Sequence, residues 1–124
     1  VIPLIHALNY TLKKIIQEGV ANRHNRHTEL NQIVHKWVAS KGFELLPKQE
    51  FASKSLTCVR NNLDIDVAGF VKTLREEKKI SIDGGYGKIK GKTFRISNMG
   101  DETVDSINHL ISNMDEVLSS FLPA

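Results

Sequence analysis

Residues 84–100 read GGYGKIKGKTFRISNMG. A glycine-rich segment runs into the alternating stretch Thr93-Phe94-Arg95-Ile96-Ser97, and Gly100 then releases the chain toward a helix. Alternation places Phe94 and Ile96 on one face of a strand and Thr93, Arg95 and Ser97 on the other. One guanidinium is thereby fixed on a rigid element beside a flexible loop. A planar fork of N–H donors matches the two oxygens of a carboxylate or phosphate, which makes Arg95 a candidate anion receptor. The plainer reading is an edge-strand arginine paired with a neighbouring acid. Spacing alone favours that second reading and leaves both open.

Working outward, the C-terminal side carries Val104, Ile107, Leu110, Ile111, Met114, Val117, Leu118 and Phe121 at helical spacing. Asp101 and Glu102 stand at the positive end of that helix. On the N-terminal side, Lys79 to Ile82 reads as a strand. Before it comes a helix with Val67, Phe70, Val71 and Leu74 inward, capped by Asp64 or Asp66. Ser55 to Arg60 and Phe43 to Leu46 are rich in β-formers and read as two further strands. The chain opens on Pro3, Leu4, Ile5, Leu8, Leu12, Ile15 and Ile16, a helical stripe interrupted at Gly19 by a kink or break. A second stripe, Leu30, Ile33, Val34, Trp37 and Val38, ends at Lys41-Gly42, a cation followed by a C-cap glycine. The predicted order is α-α-β-β-α-β-β-α. It describes an α+β two-layer domain whose small, largely antiparallel sheet is covered by helices. The helical lead-in is longer than one small sheet requires, so it is expected to bridge to something else.

The 124 residues, 40% hydrophobic, suit one domain with a core of ordinary size. No apolar run approaches a bilayer span. The single cysteine, Cys58, excludes an internal disulfide and fits a reducing compartment, so the expected location is cytoplasmic. The net charge of +3 is not gathered into a block. Lys88, Lys90 and Lys92 alternate along one loop with only Tyr86 as an aromatic companion, whereas nucleic-acid binders combine a basic face with stacking aromatics. A basic α+β nucleic-acid module and a ligand-free interaction domain are the rival readings. A salt-dependent shift on mixed nucleic acid separates the first of them.

Several patterns fall away on inspection. Gly85 to Gly91 is one residue too long for the dinucleotide fingerprint, and Gly85 to Thr93 one too long for a Walker-type phosphate loop. Both motifs must open a helix, and here the chain enters a strand. His24 and His27 share a helix face, but no acid or cysteine completes a metal set. Nothing has the form of a nucleophile elbow. Cys58 sits in an apolar stretch as a core residue.

The segments IIQEGVANRHNRH, LLPKQEFASKSLTCVR and ISIDGGYGKIKGKTFRISNMGDETVDSI resemble the C-terminal part of class V pyridoxal-phosphate-dependent aminotransferases of the alanine–glyoxylate or serine–pyruvate type. The resemblance runs from Pro3 to about Leu118 and is most specific at Gly91-Lys92-x-Phe94-Arg95-Ile96 followed by Met99-Gly100. Ser97-Asn98 stands where the family often has Gly-His. The resemblance implies that Arg95 binds the α-carboxylate of the amino-acid substrate and that Arg23-His24 is structural. It implies pyridoxal 5′-phosphate as cofactor, small amino acids and 2-oxo acids as substrates, and a homodimer. It also implies that residues 1–124 are the C-terminal small domain, with residues 1–18 as the helix leading from an absent large domain. That large domain holds the family's cofactor lysine and most phosphate contacts. No catalytic, cofactor-binding or metal residue is therefore expected in this chain, which is expected to be inactive alone. A first residue of Val agrees with a processed chain or fragment.

Overall fold

A computed structural model of the chain describes residues 1–122. Helix α1 spans Ile2–Glu18 and helix α2 spans Val20–Ser40, parted only by Gly19. Gly19 has φ 85°, a left-handed conformation that a side chain would strain, so the single glycine turns the predicted long helix into two. A charged cluster holds this break. Arg23 Nη1 and Arg26 Nε donate to the two carboxylate oxygens of Glu18 at 2.8 and 2.7 Å. The same arginines reach across to the segment before the last helix: Arg23 Nη2 donates to Gly100 O at 2.9 Å, and Arg26 Nη1 to Glu102 O at 2.6 Å. Lys14 pairs with Asp101 beside them. Arg23 thus has the structural role expected of it, while His24 is solvent-exposed.

The Arg26 guanidinium, helped by Arg23, holds the Glu18 carboxyl at about 2, well below its ordinary value of 4.5. The folded-state value lies below the unfolded one. The contribution of the cluster is therefore complete above the unfolded value and is lost as pH falls toward the folded one. Melting temperature should decline on acidification from about 4.5 to about 2, and Glu18→Gln should flatten that limb while lowering the melting point at neutral pH. Superimposable acid limbs for the two proteins, followed by circular dichroism, would contradict this assignment.

Helix α2 closes as a Schellman motif. Phe43 N–H donates to Val38 O at 3.0 Å and Gly42 N–H to Ala39 O at 3.1 Å, with Gly42 at φ 78°. Strands β1 (Glu44–Leu45), β2 (Leu56–Arg60) and β3 (Thr93–Ser97) form one antiparallel sheet in the order β1-β2-β3. Helix α3 (Val67–Glu77) follows β2, and helix α4 (Val104–Leu118) follows β3. Asp66, not Asp64, caps α3, accepting from Gly69 N–H at 3.0 Å. Helix α4 begins at a capping box between Thr103 and Ser106, so Asp101 and Glu102 stand before the cap rather than in the first turn.

The strand expected over Lys79 to Ile82 does not form. Lys79 takes φ 58°, and Ile80 N–H returns to Leu74 O at 3.1 Å, which ties the segment to the end of α3. Pairing with β3 shrinks to one bridge, Asp83 opposite Arg95, before Gly85 at φ 79° turns the chain away. Ile82 is nevertheless buried. Among the described residues the domain is α+β with three strands instead of four.

Val59 lies opposite Phe94 and Thr57 opposite Ile96, and all four are buried on one face of the sheet. Helix α2 packs on the sheet, and α4 packs on both α2 and α3. An aromatic chain crosses the core: Phe43 to Phe94 at 5.2 Å, Phe94 to Phe70 at 5.7 Å and Phe70 to Phe121 at 5.9 Å, each pair edge to face. Trp37 Nε1 donates to Asp115 Oδ1 at 2.6 Å and joins α2 to α4. Helix α1 is different, with none of its residues buried. Leu4, Ile5, Leu8, Leu12 and Ile16 remain 46–75% exposed. Among the described residues no helix is long and apolar enough to cross a membrane.

Candidate functional site

Strand β3 is the edge of the named sheet, and alternation sorts its side chains as the sequence predicts. Phe94 and Ile96 are wholly buried and anchor the strand, while Arg95 projects from the opposite face and is partly exposed. Thr93 is also on that opposite face yet fully buried, because the 84–92 loop folds over it. The loop closes through Gly91 N–H to Gly84 O at 3.2 Å. Gly85 is obligatory there: at its φ of +79°, a Cβ would meet Thr93 Oγ1 at 2.6 Å and Ile89 O at 2.9 Å.

Arg95 is held from three directions. Its backbone N–H donates to Asp83 O at 2.7 Å, and Asp83 N–H donates back to Arg95 O at 3.4 Å. Its Nε donates to Asp83 Oδ1 at 3.1 Å, and its Nη2 stands 2.8 Å from the same oxygen as an ion pair. The ring of Tyr86 lies 4.6 Å from the guanidinium carbon, within cation–π distance. The Gly85 N–H, 2.7 Å from Asp83 Oδ1, and the Arg95 guanidinium hold the Asp83 carboxyl below the usual carboxylate range. Asp83 in turn raises Arg95, so the pair stays ionised across the working pH range. The neighbouring acid of the plainer sequence reading is therefore present. It leaves Nη1 of Arg95 without a hydrogen bond to any described residue.

Arg95 lines a cleft of about 600 Å³ together with Arg75, Asp83, Ser97, Glu102 and His109. Asn98 closes the end of β3. Its Nδ2 donates to His27 O and Lys54 O, both at 3.0 Å, and its backbone carbonyl oxygen lies 2.8 Å from His27 Nδ1. This wholly buried side chain ties β3 to α2 and to the segment before β2. Cys58 is not the core residue expected: it is half-buried, opposite Arg95 on the other face of the sheet from Val59 and Thr57, and burial pushes its thiol up. Among the described residues no group of three or more His, Cys, Asp or Glu is placed to hold a metal ion.

Sequence reasoning missed Asp83 and Tyr86 as partners of Arg95. The available signal was the acid at the end of the supposed strand, immediately before the glycines. Reading residues 79–82 as the pairing strand drew attention away from Asp83, the one residue that pairs.

The fold is the α+β small-domain fold seen in aminotransferases. The chain is 32% identical over 97 residues to an uncharacterized aminotransferase of Methanocaldococcus jannaschii, covering 78% of this chain and 25% of the relative. It is 28% identical over 101 residues to a serine–glyoxylate aminotransferase of Methylorubrum extorquens, covering 81% and 25%. The crystal structure of an alanine–glyoxylate aminotransferase from Nostoc sp. superimposes with a TM-score of 0.81 at 30% identity, covering 86% of this chain and 29% of that one. No family model matches the chain. Over about four-fifths of its length the chain is homologous to alanine– and serine–glyoxylate aminotransferases, and it matches the C-terminal part of class V aminotransferase structures. It spans about a quarter of the length of the curated relatives it matches.

The cleft itself holds no amine for the aldehyde of the family's cofactor. No lysine lines it, and Lys88, Lys90 and Lys92 of the adjoining loop are exposed to solvent. The cleft offers an anion two guanidinium groups, Arg75 and Arg95, and offers an aldehyde no amine.

Proposed function

We propose that residues 1–124 are the C-terminal small domain of a transaminase that moves an amino group between a small amino acid and a 2-oxo acid. In this reading Arg95 receives the substrate's α-carboxylate. The observation that carries it is the placement of Arg95: fixed on a buried strand, held by Asp83 and Tyr86, and lining the cleft. Similarity to serine–glyoxylate and alanine–glyoxylate aminotransferases over most of this chain supports the substrate class. Two-oxygen recognition by a planar fork fixes a small amino acid in direction as well as in place. The decisive measurement is kcat/KM of Arg95 variants in the full-length enzyme.

Pyridoxal 5′-phosphate belongs, on this reading, to a larger domain that precedes residues 1–18, because no lysine lines the cleft to bind its aldehyde. The exposed apolar face of α1 is what such a domain covers. A homodimer and a reducing, cytoplasmic setting complete the proposal, the latter supported by Cys58 having no second cysteine in this chain.

On its own the chain should therefore form concentration-dependent oligomers in sedimentation and lose added pyridoxal phosphate on dialysis. A strict monomer at high concentration, or a retained absorbance band that borohydride fixes to one of these lysines, overturns the domain division.

A further inference from the structure

We propose that Asp83 is a positioning residue that presets the direction in which Arg95 presents its carboxylate-binding edge, with Tyr86 setting the plane. The inference rests on the reading of Arg95 as the carboxylate receptor and adds what determines its aim.

A guanidinium offers five N–H donors in one plane, so its orientation decides which pair faces a ligand. A single oxygen of Asp83, Oδ1, faces the Nε–Nη2 edge: it accepts from Nε and lies 2.8 Å from Nη2 as an ion pair. That oxygen is itself fixed by the Gly85 N–H at 2.7 Å, from a backbone conformation that only glycine fits. The two residues also exchange both backbone hydrogen bonds, so the carboxylate and the guanidinium start from one cross-strand pair. Asp83 is thus part of the mount for Arg95. A mobile internal anion waiting to be displaced would not be anchored at both backbone and side chain. Tyr86 then lies against the guanidinium at 4.6 Å and limits its tilt.

With one edge taken and the plane held, both donors of Nη1 and the outer donor of Nη2 remain for a ligand. These are the donors that match two carboxylate oxygens side by side. Tyr86 is 68% exposed, so this side of the clamp contributes little to the core. Its removal therefore probes orientation with small risk to folding. Presetting the fork lowers the ordering cost at the moment of binding, which is read in KM more than in kcat.

In the full-length holoenzyme, Asp83→Ala should raise KM for a small amino-acid donor on the order of tenfold with a smaller change in kcat. Asp83→Asn keeps an oxygen in the place of Oδ1 and should recover much of that loss. Tyr86→Leu leaves Asp83 intact and should raise KM about twofold to fivefold, and it keeps the test available if Asp83→Ala does not fold. A lowered melting temperature with wild-type KM in Asp83→Ala, or a lowered KM there, overturns the positioning role. So does an unchanged KM in Tyr86→Leu when Asp83→Ala yields no folded protein. Running Arg95→Ala in parallel separates the two levels. If that variant is defective while Asp83→Ala binds donor normally, only the positioning role falls. If folded Arg95→Ala enzyme is kinetically normal, the carboxylate reading falls and takes this one with it.

Discussion

Arg95→Ala in the full-length enzyme is expected to lower kcat/KM for carboxylate-bearing amino donors by about tenfold to a hundredfold, the loss that follows removal of a charged hydrogen-bonding group. Arg95→Lys should lose less, because it keeps the charge while replacing a planar fork with a point donor. Cofactor affinity should hardly change if, as proposed, the cofactor is held by another domain; no lysine lines this cleft to take its aldehyde. The ion pair with Asp83 makes the control important. An arginine that serves only as an edge-strand partner of Asp83 would, when lost, lower the melting temperature and leave the kinetics of the folded enzyme near wild type. Measuring kcat/KM beside the melting temperature distinguishes these cases. Normal kinetics in a folded Arg95→Ala enzyme would end the assignment.

The second large effect concerns the residue next door. Phe94 is fully buried and sits between Phe43 and Phe70 in the aromatic chain, on the strand that carries Arg95. Phe94→Ala removes a whole ring from a close-packed site and should cost about 3–5 kcal/mol, transfer and cavity contributions together. Against a typical domain stability of about 5–15 kcal/mol, that is enough to leave a marginal or unfolded chain. Phe94→Leu, which refills much of the space, should cost substantially less. Urea titration of both variants reads the difference directly. A Phe94→Ala loss below about 1 kcal/mol would mean that the strand is not anchored through this ring.

The two effects are linked through β3. Because side chains alternate, the buried Phe94 and Ile96 determine the face from which Arg95 leaves the sheet. A destabilised β3 would therefore mimic an Arg95 defect. The stability measurement on each variant keeps the two apart.

What the sequence determined by itself is what depends on near neighbours. Helical stripes such as Leu30, Val34, Trp37 and Val38 are legible because a helix face is written at short spacing, and four of these residues are buried as expected. The alternation of Thr93 to Ser97 placed Arg95 opposite Phe94 and Ile96 for the same reason. Gly19 and Gly42 announced a break and a cap, since few other residues accept their φ values. The contiguous stretch around Arg95 was enough to show the family likeness.

Tertiary structure alone decided what depends on a returning chain. Residues 79–82 have the composition of a strand, but strand formation requires a partner in register, and Lys79 and Gly85 turn the backbone so that only Asp83 meets β3. The partner of Arg95 lies twelve residues away, and that of Trp37 seventy-eight. The arginines at the helix break find carbonyls at Gly100 and Glu102. Local periodicity carries no register for such contacts. They follow from where the whole chain packs, and with them the direction in which the one exposed fork of β3 faces the cleft.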